Sequence, residues 1–106
     1  MNKLAFIGGS GIYDLEFLTN ITEHNLKSEF GKPSGPIIEG KINNDTVYFI
    51  SRHGFGHILS PSSINYRANI DCLKKCGVTD IISLSAVGSL KDNLSPGTFV
   101  IVDQFI

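Results

Sequence analysis

Three short apolar runs in this chain each break off at a loop rich in glycine, serine or basic residues, and this repetition constrains the fold most. The runs are Lys3–Ile7, Val47–Ser51 and Asp80–Leu84, and each has the length and composition of a buried strand. A segment of helical period lies between the second run and the third. Strands combined with a covering helix predict an α/β domain.

A hairpin signature fixes the kind of sheet. The runs Ile37–Ile42 and Val47–Ser51 are joined by Asn43–Asp45, residue types that tolerate positive φ in tight turns. An antiparallel hairpin beside parallel strands predicts a mixed central sheet. We also predict an exposed strand over Ile21–Phe30 and a final strand from Thr98 onward.

The clearest helix follows residue 60. Ser60 or Ser62 is the predicted cap, Pro61 suits the first turn, and Gly77 ends the helix. The predicted apolar stripe consists of Ile64, Ala68, Cys72, Leu73 and Cys76. The two cysteines are expected to be packing thiols, because a zinc site needs further ligands and a disulfide needs an oxidising compartment.

Charge and hydropathy exclude some classes of protein. The 106 residues carry a net charge of −1 without a Lys/Arg cluster, so a nucleic-acid-binding protein is not expected. Apolar runs never exceed five residues, far short of the ~18 that a membrane-spanning helix requires. The amino-terminal segment lacks a secretory pattern. We therefore expect a cytoplasmic protein with neither a nucleic acid nor a membrane as partner.

The first loop, Gly8–Gly11, follows the first apolar run. Consecutive glycines let backbone N–H groups approach an oxyanion, and the Ser10 hydroxyl adds a donor. A dinucleotide-binding loop is the main alternative, but Asp14 stands where the third glycine of that fingerprint belongs. A purely structural turn is the second alternative.

The second loop places Arg52, His53 and His57 around two glycines. Arginine offers a planar fork suited to phosphate, and a neighbouring histidine can add hydrogen bonds. A zinc site at His53 and His57 is less favoured, because their spacing converges only in a helix and Gly54 and Gly56 oppose one. Pairing of Arg52 with a nearby carboxylate is the remaining alternative.

The third loop, Ser85–Ser89, again follows a predicted buried strand. Ligands in α/β proteins bind outside the carboxyl ends of the strands. The three loops together offer hydroxyls, glycines, Arg and His, and none contains an acid. The simplest explanation of this pattern is that the three loops bind one anion together.

These loops and the segments between them resemble the methylthioadenosine phosphorylase and purine nucleoside phosphorylase family. The matching stretches are Ile7–Gly11, Phe30–Ser34, Ser51–His57, Pro61–Asn69, Ser85–Leu90, Pro96–Gly97 and Val102–Ile106. The resemblance covers essentially the whole chain in the family's order. It implies that residues 1–106 are the amino-terminal portion of a single nucleoside phosphorylase domain, shorter than the family's full length.

The resemblance also implies a reaction and its residues. Inorganic phosphate displaces the base of a purine nucleoside, most simply S-methyl-5'-thioadenosine, and no metal or organic cofactor takes part. The implied phosphate ligands are Ser10, Arg52, His53, Ser85 and the Ala86 backbone. His57 matches a position near the ribose, and Val87 and Gly88 match positions near the base.

Other features of the family lie beyond these residues. The general acid is expected after Ile106, and the full-length protein is expected to be a homotrimer. Two alternatives stay open: a non-catalytic anion- or nucleotide-binding fragment, and a phosphorylase for 6-oxopurine nucleosides or methylthioinosine.

Overall fold

The computed structural model describes residues 2–9 and 15–104. Within them it contains five strands, one α-helix and a short 3₁₀ turn. The strands are β1 (Leu4–Gly8), β2 (Thr19–His24), β3 (Ile37–Ile42), β4 (Asp45–Ser51) and β5 (Asp80–Leu84), the helix is α1 (Tyr66–Lys75), and the 3₁₀ turn is Pro61–Ser63.

The five strands form one mixed sheet in the order β2-β3-β4-β1-β5. The β2, β3 and β4 strands pair antiparallel, whereas β1 pairs in parallel with both β4 and β5. In these ladders Gly8 lies opposite Ser51 on one side and Leu84 on the other. The predicted α/β class and mixed sheet are confirmed. The carboxyl ends of β4, β1 and β5 lie side by side at the same end of the sheet.

The predicted hairpin is also confirmed. Strands β3 and β4 pair from Ile38 opposite Phe49 to Ile42 opposite Asp45. Asn43 supplies the positive φ of the connecting turn, at 57°, a conformation that asparagine adopts more readily than most residues.

Two apolar clusters cover the two faces of the sheet. Helix α1 packs Cys72 and Leu73 against one face, where both side chains are fully buried. The sheet residues in this cluster are Ala5, Ile7, Ile37, Tyr48 and Ile50. On the opposite face Leu18 packs with Ile38, Val47 and Phe49. Both cysteines are free. The burial of Cys72 in this cluster confirms its packing role, and it raises the pKa of the thiol.

The predicted helix cap is wrong, although the predicted end is right. Asn65 caps α1, and its Oδ1 accepts a hydrogen bond of 3.0 Å from the Ala68 N–H. Ser60 instead precedes the 3₁₀ turn, which is separated from α1 by Ile64 in an extended conformation. Gly77 follows the helix with φ of +83°, as a residue closing a helix commonly does.

Two expectations about strands fail at the β5 side of the sheet. Strand β5 forms as predicted but is exposed rather than buried, because in the described part of the chain it pairs only with β1. Residues 98–104 contain no strand, and Phe99 and Ile101 are each 97% exposed. The composition of this run favours a strand, but the run pairs with none of the described strands and its apolar side chains stay exposed.

The exposed strand β2 is shorter than predicted. It covers Thr19–His24 rather than Ile21–Phe30, and Leu26, just beyond its end, packs against the α1 cluster. In the part of the chain that the structure describes, no helix is both long and apolar enough to cross a membrane.

The corrected cap gives a stability prediction. Asn65→Ala should lower the free energy of unfolding by about 0.5–2 kcal/mol, because it removes the acceptor for the Ala68 N–H. Ser62→Ala is the matched control and should leave it nearly unchanged. Urea unfolding followed by circular dichroism measures both, and a larger loss for Ser62→Ala would contradict this cap assignment.

Candidate functional site

The ends of three parallel strands are joined directly by backbone hydrogen bonds. The Arg52 N–H, just after β4, donates to the Gly8 carbonyl at 2.9 Å, and the Gly9 N–H donates to the Leu84 carbonyl at 2.9 Å. The three predicted loops therefore begin side by side at this end of the sheet.

Arg52 extends this junction with its side chain. Its Nη2 donates to the Ser85 hydroxyl at 2.7 Å and to the Leu84 carbonyl at 3.2 Å, while Nη1 donates to the Ser83 hydroxyl at 3.1 Å. Among residues 2–9 and 15–104, these bonds occupy three of the five guanidinium N–H groups and leave two for a ligand. Arg52 and Ser85, both predicted as phosphate ligands, are thus in direct contact.

The positive charge of Arg52 is not neutralised by a neighbouring carboxylate of the described residues. Both ion pairs found there lie elsewhere, His24 with Glu39 and Lys75 with Asp71. The alternative that Arg52 serves a structural ion pair therefore finds no support in these residues. Its neutral partners leave the guanidinium charge available to an anion.

Gly9 makes the contact between Arg52 and β5 possible. A Cβ at this position would collide with the Arg52 guanidinium and lie 2.9 Å from the Leu84 carbonyl oxygen. Because β1 stands between β4 and β5, Arg52 reaches Ser85 only by crossing the end of β1. This glycine is required for close approach of a side chain.

His53 is held within its own loop. Its Nδ1 lies 2.8 Å from the Leu59 carbonyl, and the Leu59 N–H donates to the His53 carbonyl at 2.9 Å. A carbonyl can only accept, so Nδ1 carries a proton and Nε2 is the acceptor of the neutral ring. The ring is buried and stacks on that of His57, with centroids 4.3 Å apart and planes 19° apart.

The other predicted ligand residues lie in an exposed segment or outside the described part of the chain. Ser10 lies outside the described residues. Ala86, Val87 and Gly88 follow β5 in an exposed segment, with Val87 85% exposed. Their roles, like those of His53 and His57, stay predictions. Across residues 2–9 and 15–104 there is no cluster of three or more His, Cys, Asp or Glu that could hold a metal ion.

Sequence reasoning missed several contributors to this site. The hydroxyl of Ser83 and the carbonyl of Leu84 both bind Arg52, but neither residue belongs to a recognisable motif. The available signal was the spacing of two residues between Ser83, within β5, and Ser85, just after it, since alternate residues of an extended chain point to the same side.

Comparison with known proteins identifies the family. A family model described as the phosphorylase superfamily matches residues 3–106, and the chain belongs to this superfamily. It is 58% identical over 103 residues to the S-methyl-5'-thioadenosine phosphorylase of Bradyrhizobium diazoefficiens. It is 47% identical over 106 residues to a probable 6-oxopurine nucleoside phosphorylase of Thermococcus kodakarensis.

A solved structure gives the same answer for the fold. Methylthioadenosine phosphorylase from Schistosoma mansoni, in complex with tubercidin, matches 92% of this chain with a TM-score of 0.84 and 39% identity. The chain spans 35% of that structure, 35% of the Bradyrhizobium relative and 39% of the Thermococcus relative. The chain therefore corresponds to little more than a third of the length of each of these proteins.

The close approach at Gly9 can be tested by stability. Gly9→Ala should lower the free energy of unfolding by about 1–3 kcal/mol, because the added methyl group displaces the Arg52 guanidinium. Gly88→Ala is the matched control: apart from the glycine and its two chain neighbours, no atom of the described residues lies within 4 Å of its added methyl, so stability should hold or rise by up to about 1 kcal/mol. Equal losses in chemical unfolding of the two variants would refute the close approach.

Proposed function

We propose that the full-length protein catalyses phosphorolysis of S-methyl-5'-thioadenosine, giving adenine and 5-methylthioribose 1-phosphate. The observation that carries the proposal is the Arg52 guanidinium, which bridges to Ser85 without a carboxylate partner among the described residues. The 58% identity to a relative with this named activity supports the choice of substrate.

In this reaction the phosphate site mainly positions the nucleophile and supplies positive charge. A phosphate oxygen forms a bond to the anomeric carbon while the bond from that carbon to the purine nitrogen breaks. The bonding pair leaves with the purine, which takes a proton from a general acid expected outside these residues. The bound phosphate also stabilises the positive charge that develops on the sugar.

The described residues would share the work of holding the phosphate. Arg52 would supply charge and N–H donors, and the Ser85 hydroxyl, which accepts from Arg52, would keep its own proton to donate. His53 would act differently: with Nδ1–H committed to Leu59, its neutral Nε2 would accept the O–H of a monoprotonated phosphate. Ser10 and the Ala86 backbone complete the proposed ligand set.

A second candidate substrate class is the 6-oxopurine nucleosides, because the Thermococcus relative at 47% identity carries that name. Base choice depends on hydrogen-bonding groups that contact the purine edge. The positions proposed to lie near the base, Val87 and Gly88, carry no polar side chain. Recognition of the purine edge would therefore depend on residues of the full-length protein after Ile106.

Several further features belong to the same proposal. The full-length protein would be a homotrimer in the cytoplasm, acting on a purine nucleoside and phosphate without a metal or organic cofactor, as the family resemblance implies. Sedimentation of a stable monomer, or loss of activity on treatment with a chelator, would contradict these parts of the proposal.

The substrate proposal is tested by following base release from the full-length protein. Adenine should appear from S-methyl-5'-thioadenosine only when phosphate is present, and faster than hypoxanthine appears from inosine. Faster release of hypoxanthine would favour the second candidate. Absence of phosphate-dependent release from both nucleosides would reject a phosphorylase.

The role of Arg52 is tested by substitution. Arg52→Ala should raise the phosphate concentration required for half-maximal activity at least about tenfold, roughly the loss of one charge-assisted hydrogen bond. Arg67→Ala removes an equal charge from α1, where Arg67 lies over the Phe30 ring, and should leave phosphate dependence unchanged. Equal phosphate dependence of Arg52→Ala and wild type would overturn the assignment.

A further inference from the structure

A buried chain of hydrogen bonds connects helix α1 to the backbone of Arg52. The Asn69 side-chain NH₂ donates to the Ser34 hydroxyl at 3.0 Å, and this hydroxyl donates to the Arg52 carbonyl at 2.6 Å. In the reverse direction, the Ser34 N–H donates to the Asn69 Oδ1 at 2.8 Å. We call Asn69 and Ser34 the brace.

Through the Ser34 hydroxyl, donation runs from Asn69 to Arg52. The Ser34 hydroxyl has a single proton, which goes to Arg52, and it accepts from Asn69. The asparagine amide uses both of its ends on Ser34. Donors and acceptors aligned head to tail polarise one another, so the chain is stronger than isolated bonds.

Burial makes this arrangement costly to leave incomplete. Asn69 is 2% exposed and Ser34 is 9% exposed. A buried polar group that loses its partner costs more than the net value of the bond it made. Removal of either side chain therefore leaves a buried polar group of the other residue without its partner. The loop that carries Ser34 must then shift to bring that group into contact with water.

The brace acts at the backbone from which the Arg52 side chain projects. The Arg52 N–H is fixed by the Gly8 carbonyl, and its C=O is fixed by Ser34. The next glycine, Gly54, packs its Cα side against the Ser34 carbonyl, where an added Cβ would lie 3.1 Å away. Both peptide groups of Arg52 are thus held, one by β1 and one by the brace.

We infer that Asn69 and Ser34 are positioning residues for the anion site, setting its phosphate affinity by holding the Arg52 backbone so that the guanidinium meets Ser85. Neither side chain contacts the guanidinium, so their influence passes through the Arg52 carbonyl. This inference rests on the proposed phosphate role of Arg52.

The test measures inorganic phosphate binding to the full-length protein by calorimetry without nucleoside. Ser34→Ala should raise the dissociation constant about three- to tenfold, whereas Ser34→Thr keeps the hydroxyl and should stay within about twofold. Asn69→Ala should match Ser34→Ala, and the double variant should lose little more, because both act through one chain. In activity assays, KM for phosphate should rise while kcat at saturating phosphate stays within about twofold.

A matched control separates positioning from general loss of stability. Cys72→Ala also truncates a fully buried side chain of α1 and should lower the melting temperature without changing phosphate binding. A wild-type dissociation constant in Ser34→Ala, or an equal rise in Cys72→Ala, overturns the inference. If Asn69→Ala does not fold, the two Ser34 variants decide. If the wild-type protein binds phosphate but releases no base, the proposed function is rejected. The order of phosphate affinities among the variants then still tests the positioning role of the brace.

Discussion

The structure depends on one side chain that crosses a strand. Arg52 leaves the end of β4 and contacts the end of β5 while β1 lies between them, a span of two strand spacings, ~9–10 Å. Arginine is long enough for this, and only glycine at position 9 leaves room for its guanidinium. Strand order, the glycine and the arginine are therefore parts of one arrangement. It places a positive charge where three strands end, and no carboxylate of the described residues pairs with that charge.

Much of the fold follows from local sequence, because the deciding signals are local. The Asn43 turn specifies the hairpin, and the helical stripe through Cys72 specifies which face of α1 is buried. The two failures on the β5 side of the sheet concern strand partners rather than strand propensity. Asp80–Leu84 has the composition of a buried strand but lies at an edge of the sheet, and the apolar run from Phe99 is exposed. Sequence patterns record what a segment can bury, not which neighbour covers it.

The candidate site was predictable to the extent that its residues cluster in loops at strand ends. Arg52 and Ser85 were both identified this way, and the structure brings them into contact. The supporting contacts were not predictable. Ser34 and Asn69 are 35 positions apart and belong to no shared motif, so only the packing of α1 on the sheet brings them together. Side chains that bind the ligand leave a local signal, whereas those that hold the backbone leave almost none.

The central claim is that the carboxyl ends of β1, β4 and β5 form one anion site around Arg52. A crystal structure of the full-length protein grown with inorganic phosphate tests it most directly. The account predicts phosphate within hydrogen-bonding distance of the Arg52 guanidinium and the Ser85 hydroxyl, with the Arg52 carbonyl still bonded to Ser34. Phosphate bound at another place, without contact to either side chain, would contradict it.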